Sequence, residues 1–291
     1  MSADIVTRGA ADAAGAAHRG RRRWPISERV AAGWLIVLIV SMLVLPMLLS
    51  LDPLELSSKD RLASPSAQHL LGTDNLGRDL LARALDGAQV SLLIGVGSTV
   101  IAGVIGVPVG MLSGYLGGRF DAVASFVVDV ILAFPGLVLA LALTSFLGPS
   151  VMNVMIAITV PMFPVFVRLA KAQTRSIMNA EYVEASEVIG TPTLSIMRRD
   201  ILPNILEALL SFAFVSVGRA ILIEGGLSFL GIGVPLPQPT WGSMIDEGRI
   251  YMATNPLVIL VPALFLILTI LSLNIVSDRF LLNDAASQET A

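Results

Sequence analysis

Three ionisable residues lie within long apolar stretches of the sequence: Asp129, Arg219 and Glu224. An ionisable side chain at membrane depth is costly if it faces lipid, so it usually faces protein or water. Such residues could relay protons or ions, line the path of a transported solute, or lie between two subunits. Arg219 and Glu224 are five positions apart, which turns them about 140° from each other on a helix. A direct ion pair between them is therefore not expected.

Other site chemistry is scarce. The chain has no cysteine and two widely separated histidines, which excludes disulfides and disfavours a zinc site. Neither Lys59 nor Lys171 follows a glycine, so the phosphate-binding loop of ATPases is absent. The run from Gly226 to Gly231 lacks the spacing of a serine-hydrolase elbow. We expect no catalytic residue, no metal site, no cofactor in this chain and no nucleic-acid partner.

Composition and hydropathy predict an all-α membrane protein. Of the 291 residues, 55% are apolar and 14% are charged, against roughly 25% charged in soluble domains. Uncharged or nearly uncharged runs long enough to cross a bilayer predict six transmembrane helices. These spans lie within Val30–Leu51, Gly87–Gly118, about Ala122–Leu147, about Val151–Val167, about Ile205–Phe229, and Ile250–Ser277.

Glycines recur every four residues in the second span, at Gly106, Gly110, Gly114 and Gly118. Small residues at this spacing form a groove on one helix face, where the backbone of a neighbouring helix can approach closely. We therefore predict a helix-packing face here.

The segment before that span has a helical repeat of apolar positions, Leu76, Leu80, Leu81, Ala84 and Leu85. Arg78, Asp79, Arg83 and Asp86 occupy intervening positions. This pattern predicts an amphipathic helix lying along a surface, with its charges in water.

A polar segment from Glu181 to Asn204 interrupts two apolar spans. We expect a short helix that starts at an Asn179 cap and ends near Gly190, because glycine tolerates the left-handed conformation. A second short helix should run from Thr193 and end at Pro203, which lacks an N–H group. The segment is thus predicted to form an exposed elbow of two small helices.

Basic residues are distributed unevenly. If six spans are assumed, the loops on the side of the termini contain 13 Lys and Arg residues and those on the opposite side contain five. The positive-inside rule then places both termini and the elbow in the cytoplasm.

Two motifs add a resemblance to a known family. The run Glu184-Ala185-Ser186, followed by Gly190 and by Pro203, resembles the EAA loop of bacterial ABC import permeases. A second string is similar to the signature of the oligopeptide and dipeptide subgroup, C-type subunit (OppC/DppC type): His69, Gly72, Thr73, Asp74, Gly77, Arg78 and Asp79.

The resemblance implies a type I ABC importer permease fold in the bacterial inner membrane. Its cytoplasmic coupling (EAA) helix would contact an ATPase through Tyr182, Glu184, Ala185, Ser186, Gly190 and Pro203. The implied partners are a sister permease in a heterodimer, two cytoplasmic ATPases or a fused pair, an extracytoplasmic peptide-binding protein, and the lipid bilayer. The implied cargo is a peptide, with nickel chelates or glutathione as alternatives carried by related permeases.

The chain is expected to divide into four units. A disordered basic tail at 1–23 precedes a first helix and outer segment at 24–70. A core permease domain at 71–282 would include the coupling loop 176–204 and an outer loop 231–255, and a short tail at 283–291 would follow. From the residues alone, an ion-coupled transporter using Asp129, Arg219 and Glu224, or a purely structural anchor, are the competing hypotheses.

Overall fold

The structure is a computed structural model that describes residues 25–49 and 52–288, with side chains as far as residue 278. The predicted disordered tail at 1–23 lies outside the described residues. The α-helices of the described part are α1 (Ile26–Leu48), α2 (Leu80–Leu116), α3 (Gly118–Leu132), α4 (Gly136–Leu147), α5 (Val151–Ile177), α6 (Glu181–Val188), α7 (Thr193–Ile196), α8 (Leu202–Phe229), α9 (Trp241–Gly248) and α10 (Leu257–Gln288). A π-helical turn, Met197–Ile201, joins α7 to α8, and α10 extends into the predicted tail at 283–291.

Five helical stretches of the described residues are long and apolar enough to cross a bilayer. They are α1, α2, α5, the continuous stretch Thr193–Phe229, and α10 as far as Asp278. A sixth span exists only if α3 and α4 are counted together, and these are bent by 86°. The all-α membrane fold is confirmed.

The third predicted span, about 122–147, is thus not one straight helix. Pro135 precedes α4, and the chain leaves the helix between residues 133 and 135. Proline lacks the N–H that would continue the helical hydrogen bonds and disfavours helical geometry in the residue before it. The apolar composition of the stretch gives no sign of this break.

The prediction of a separate surface helix around residues 76–86 is also wrong. Asp79 caps the start of α2, accepting a hydrogen bond of 2.9 Å from the backbone N–H of Ala82. From Leu80 the helix continues unbroken into the membrane span, and Arg83 is only 1% exposed. Some of the charged residues predicted to face water are therefore buried. A residue distant in the sequence, Glu247, neutralises the charge of Arg83.

The core of the bundle is the contact between α2 and α5. Gly106, Gly110 and Gly114 all face α5, and a Cβ atom on any of them would meet backbone of that helix. At Gly114, for example, the added atom would lie 2.9 Å from the carbonyl oxygen of Lys171. Gly118, with φ of 53° and no atom nearby, begins α3 and is not part of this face.

Candidate functional site

The elbow (residues 181–204) follows the end of α5 that carries Lys171 and Arg175. The cap of α6 is Ala180, not the predicted Asn179, and no side chain accepts a hydrogen bond there. Gly190 has φ of 77° and follows the last turn, as glycine at a helix end should. Pro203 does not end a helix, because it lies in the first turn of α8, where its missing N–H is tolerated.

One face of the elbow is anchored in the bundle. Val183 is fully buried in a cluster formed by the ends of three long helices, with Met111 of α2, Ala170 of α5 and Ile205 of α8 among its members. Tyr115, at the end of α2, donates a 2.7 Å hydrogen bond to Glu187 of α6. A displacement of α6 would therefore be passed directly to α2, α5 and α8.

The opposite face of the elbow is apolar and open. Val188, Ile189 and Leu194 are 90%, 80% and 76% exposed, and Tyr182 is 45% exposed. Most of these residues lie outside the spanning helices, where exposed clusters of large apolar side chains usually mark an interaction surface. Glu184 and Ala185 are exposed beside them, whereas Ser186 is partly covered.

Of these residues, only Tyr182 was identified from the sequence, which otherwise pointed to the small residues Ala185, Ser186 and Gly190. A detectable signal was present, since apolar residues within a polar loop outside the membrane have no lipid to face. What the sequence could not supply was the direction of each side chain on a helix of eight residues.

A second cluster joins the segment before α2 to the loop before α10. The Arg78 guanidinium bonds to Asp74 at 2.6 Å and to Glu247 of α9 at 2.7 Å. Arg83 bonds to the same Glu247 oxygen at 2.9 Å. Three members of this network are buried: Asp74, Arg78 and Arg83. The network therefore fixes both the segment before α2 and helix α9 against the first turn of α2.

The remaining signature residues shape the same segment. His69 Nδ1 lies 3.0 Å from Asp79, and Thr73 is fully buried. Gly72 and Gly77 have φ of 82° and 79°, and a Cβ on either would overlap a backbone oxygen of residues 57–63. The signature thus forms a compact, charge-paired turn rather than a set of free binding groups.

A family model described as "Binding-protein-dependent transport system inner membrane component" matches residues 106–283. The chain belongs to this family. It is a permease of the OppC/DppC type, a transport subunit.

Named relatives match this permease over most of their length. The probable D,D-dipeptide transport system permease protein DdpC of Escherichia coli is 38% identical over 86% of this chain and 84% of its own. The di/tripeptide transport system permease protein DppC of Pseudomonas aeruginosa is 38% identical over 84% and 83%. The glutathione transport system permease protein GsiD of Pectobacterium atrosepticum is 35% identical over 86% and 83%.

A solved structure supports the fold. A chain from the inward-facing MetNI methionine ABC transporter superposes with a TM-score of 0.57 at 20% identity, covering 68% of the permease and 94% of that chain. The type I importer permease fold expected from the resemblance is confirmed.

The three intramembrane ionisable residues of the permease are not brought together. Asp129 bonds to Arg168 of α5 at 2.6 Å, a partner 39 residues away in the sequence. Glu224 is fully buried and accepts hydrogen bonds from Ser91 and Ser228 at 3.2 and 2.7 Å. Glu224 therefore joins α8 to α2, and the prediction that it lines a path or a subunit interface is wrong.

Asp121 connects the start of α3 to the end of α5. It pairs with Lys171 and, at 2.8 Å, with Arg175. Ser113 of α2 donates a 2.5 Å hydrogen bond to it as well. The permease thus has a polar junction of three helices beside the elbow, which the sequence did not indicate because its members are distant along the chain.

Proposed function

We propose that this permease moves short peptides into the cell by alternating access, driven by ATP hydrolysis on partner chains. The observation that carries the proposal is the elbow, whose exposed apolar face is connected through Val183 and Tyr115 to three long helices. An ATPase that holds this face and changes shape would move those helices. The chain would need no ATP site and no cofactor of its own.

The proposed assembly follows the family. It comprises this chain and a sister permease, two ATPases or a fused pair on the cytoplasmic side, and an extracytoplasmic binding protein. Peptides are favoured as cargo because two of the named relatives carry dipeptide or tripeptide transport in their names. Glutathione is the second candidate, since another relative is named for it.

The ion-coupled alternative receives no support from the geometry. A relay requires titratable groups within hydrogen-bond reach of one another or of shared water. Among the residues whose side chains are described, Asp129 pairs with Arg168, and Glu224 bonds to serines. No hydrogen bond among these described residues joins any two of Asp129, Arg219 and Glu224.

Reconstitution tests the proposed function. We expect vesicles that contain this chain, its sister permease, the ATPases and the binding protein to accumulate a labelled dipeptide only when ATP is supplied. Omitting this chain alone is the control. Accumulation of glutathione without any dipeptide uptake would replace the peptide assignment, and uptake driven by an ion gradient without ATP would contradict the mechanism.

We further propose that both termini and the elbow face the cytoplasm, on the basis of the uneven basic residues. Single cysteines introduced at Ser66 and Gln238 should react with a membrane-impermeant thiol reagent added outside, whereas one at Ser195 of the elbow should not. The natural chain, which lacks cysteine, provides the blank. If the external reagent labels only the Ser195 variant, the topology is the reverse of the one proposed.

A further inference from the structure

Arg219 lies within the spanning helix α8 and has no counter-charge in the described chain. It makes no hydrogen bond or ion pair with any residue in 25–49 or 52–278, the side chains that the structure describes, and it is exposed. A guanidinium cannot shed its proton in a protein. At membrane depth it must therefore find water or an anion.

The side chain of Arg219 borders a cavity of about 140 Å³. The walls come from the start of α4, from α5 and from α8, and include Gly136, Pro161, Val165, Ser216 and Ile223. About 10–15 Å³ of such space is enough to hold one water molecule. The cavity therefore has room for a carboxylate and several water molecules.

The acids inside this chain do not supply the missing anion. Glu224, on the same helix, is buried against Ser91 and Ser228, and Asp129 is held by Arg168. The cavity instead lies where the first turn of α4, just after the break from α3, comes beside α5 and α8. A cation there lowers the cost of moving an anionic group past otherwise apolar walls.

We infer that Arg219 and this cavity form a transient subsite for the carboxylate of a peptide in transit. The inference rests on the proposed function, because the C-terminal carboxylate is the anionic group that linear peptides share whatever their sequence. The planar guanidinium matches a carboxylate with two parallel hydrogen bonds. An open site in contact with water binds weakly enough to release its ligand, as transport requires.

Charge-selective labelling tests the subsite. Ile223 lies one helical turn from Arg219 and borders the same cavity, so the Ile223→Cys variant places a single thiol there. In the assembled transporter we expect an anionic methanethiosulfonate to react about tenfold faster than a cationic one of similar size, since one unit charge nearby has about this effect. The preference should persist in Arg219→Lys and disappear in Arg219→Gln.

Acetate and acetamide are suitable competitors because they differ in charge and little in size, and neither depends on the binding protein. Acetate should slow labelling of Ile223→Cys, and acetamide should not. A thiol at Gln238 in the outer loop, measured in the same way, should respond to neither the Arg219 substitutions nor acetate.

Two results would overturn the subsite. One is a preference for the anionic reagent that survives in Arg219→Gln. The other is a lack of reaction with either reagent both in Ile223→Cys and in Val165→Cys, a second position that borders the cavity. That result would mean that the sister permease seals the guanidinium from water. Dipeptide uptake by the cysteine-free transporter, measured in the same vesicles, separates the two proposals. Uptake without charge preference rejects only the subsite, whereas charge preference without uptake rejects peptides as the cargo.

Discussion

Replacement of both Val188 and Ile189 by aspartate is expected to abolish ATP-driven uptake while leaving the membrane helices folded. Both side chains are more than three-quarters exposed and contribute nothing to the bundle core. In a complex, each would bury apolar surface worth about 1.5–3 kcal/mol, and a carboxylate buried there without a partner would add a further penalty. We expect the ATPases to be lost from the purified complex and uptake to fall at least about 100-fold.

Single alanine variants should show intermediate losses, because they remove apolar surface without adding charge. Ser176→Asp is the matched control, since Ser176 is an exposed residue at the end of α5 and lies outside the apolar face. It should retain the ATPases and uptake. Full activity in the double aspartate variant would show that the apolar face of the elbow has no role in transport.

Replacement of Arg83 by methionine is expected to destabilise strongly the end of the permease that carries α9. Arg83 is 1% exposed and bonds to Glu247 at 2.9 Å, with Asp74 also close. Removing one member of a buried ionic network typically costs about 3–5 kcal/mol, because the partner charge remains buried. Thermal unfolding followed by size-exclusion chromatography should show a clear loss of folded protein.

Arg249 provides the matched control for Arg83. It pairs with Asp246 in the same loop, yet its side chain is 57% exposed. Exposed pairs contribute about 0–1 kcal/mol, so Arg249→Met should unfold close to the unmodified protein. Equal stability of the Arg83 and Arg249 variants would mean that the network around Glu247 does not hold α9 in place.

Features that depend only on residues close together in the sequence were predictable. The long apolar runs placed the spans that remain straight, because hydropathy over about 20 residues is sufficient to identify them. Gly190 marked the end of α6 because only a residue without a side chain readily adopts its φ of 77°. The spacing of Gly106, Gly110 and Gly114 pointed to a close helix contact because small residues repeat on one face.

Features that depend on distant partners were not predictable. Arg83 appeared to be a solvent-facing charge, since its partner Glu247 lies 164 residues further along the chain. The partner of Asp129 could not be identified either, because Arg168 lies on another helix. The 86° bend between α3 and α4 was missed for a different reason, since a broken apolar stretch has the same composition as an intact one.

We propose that a separate ATPase acts on this permease at the apolar face of the elbow. The most direct measurement replaces Ile189 with a photoreactive phenylalanine analogue in the assembled transporter and identifies the cross-linked peptide by mass spectrometry. We expect a peptide from the ATPase, with a yield that changes between nucleotide-free and ATP-bound states. Cross-links to lipid or to the sister permease, with none to the ATPase in either state, would contradict it.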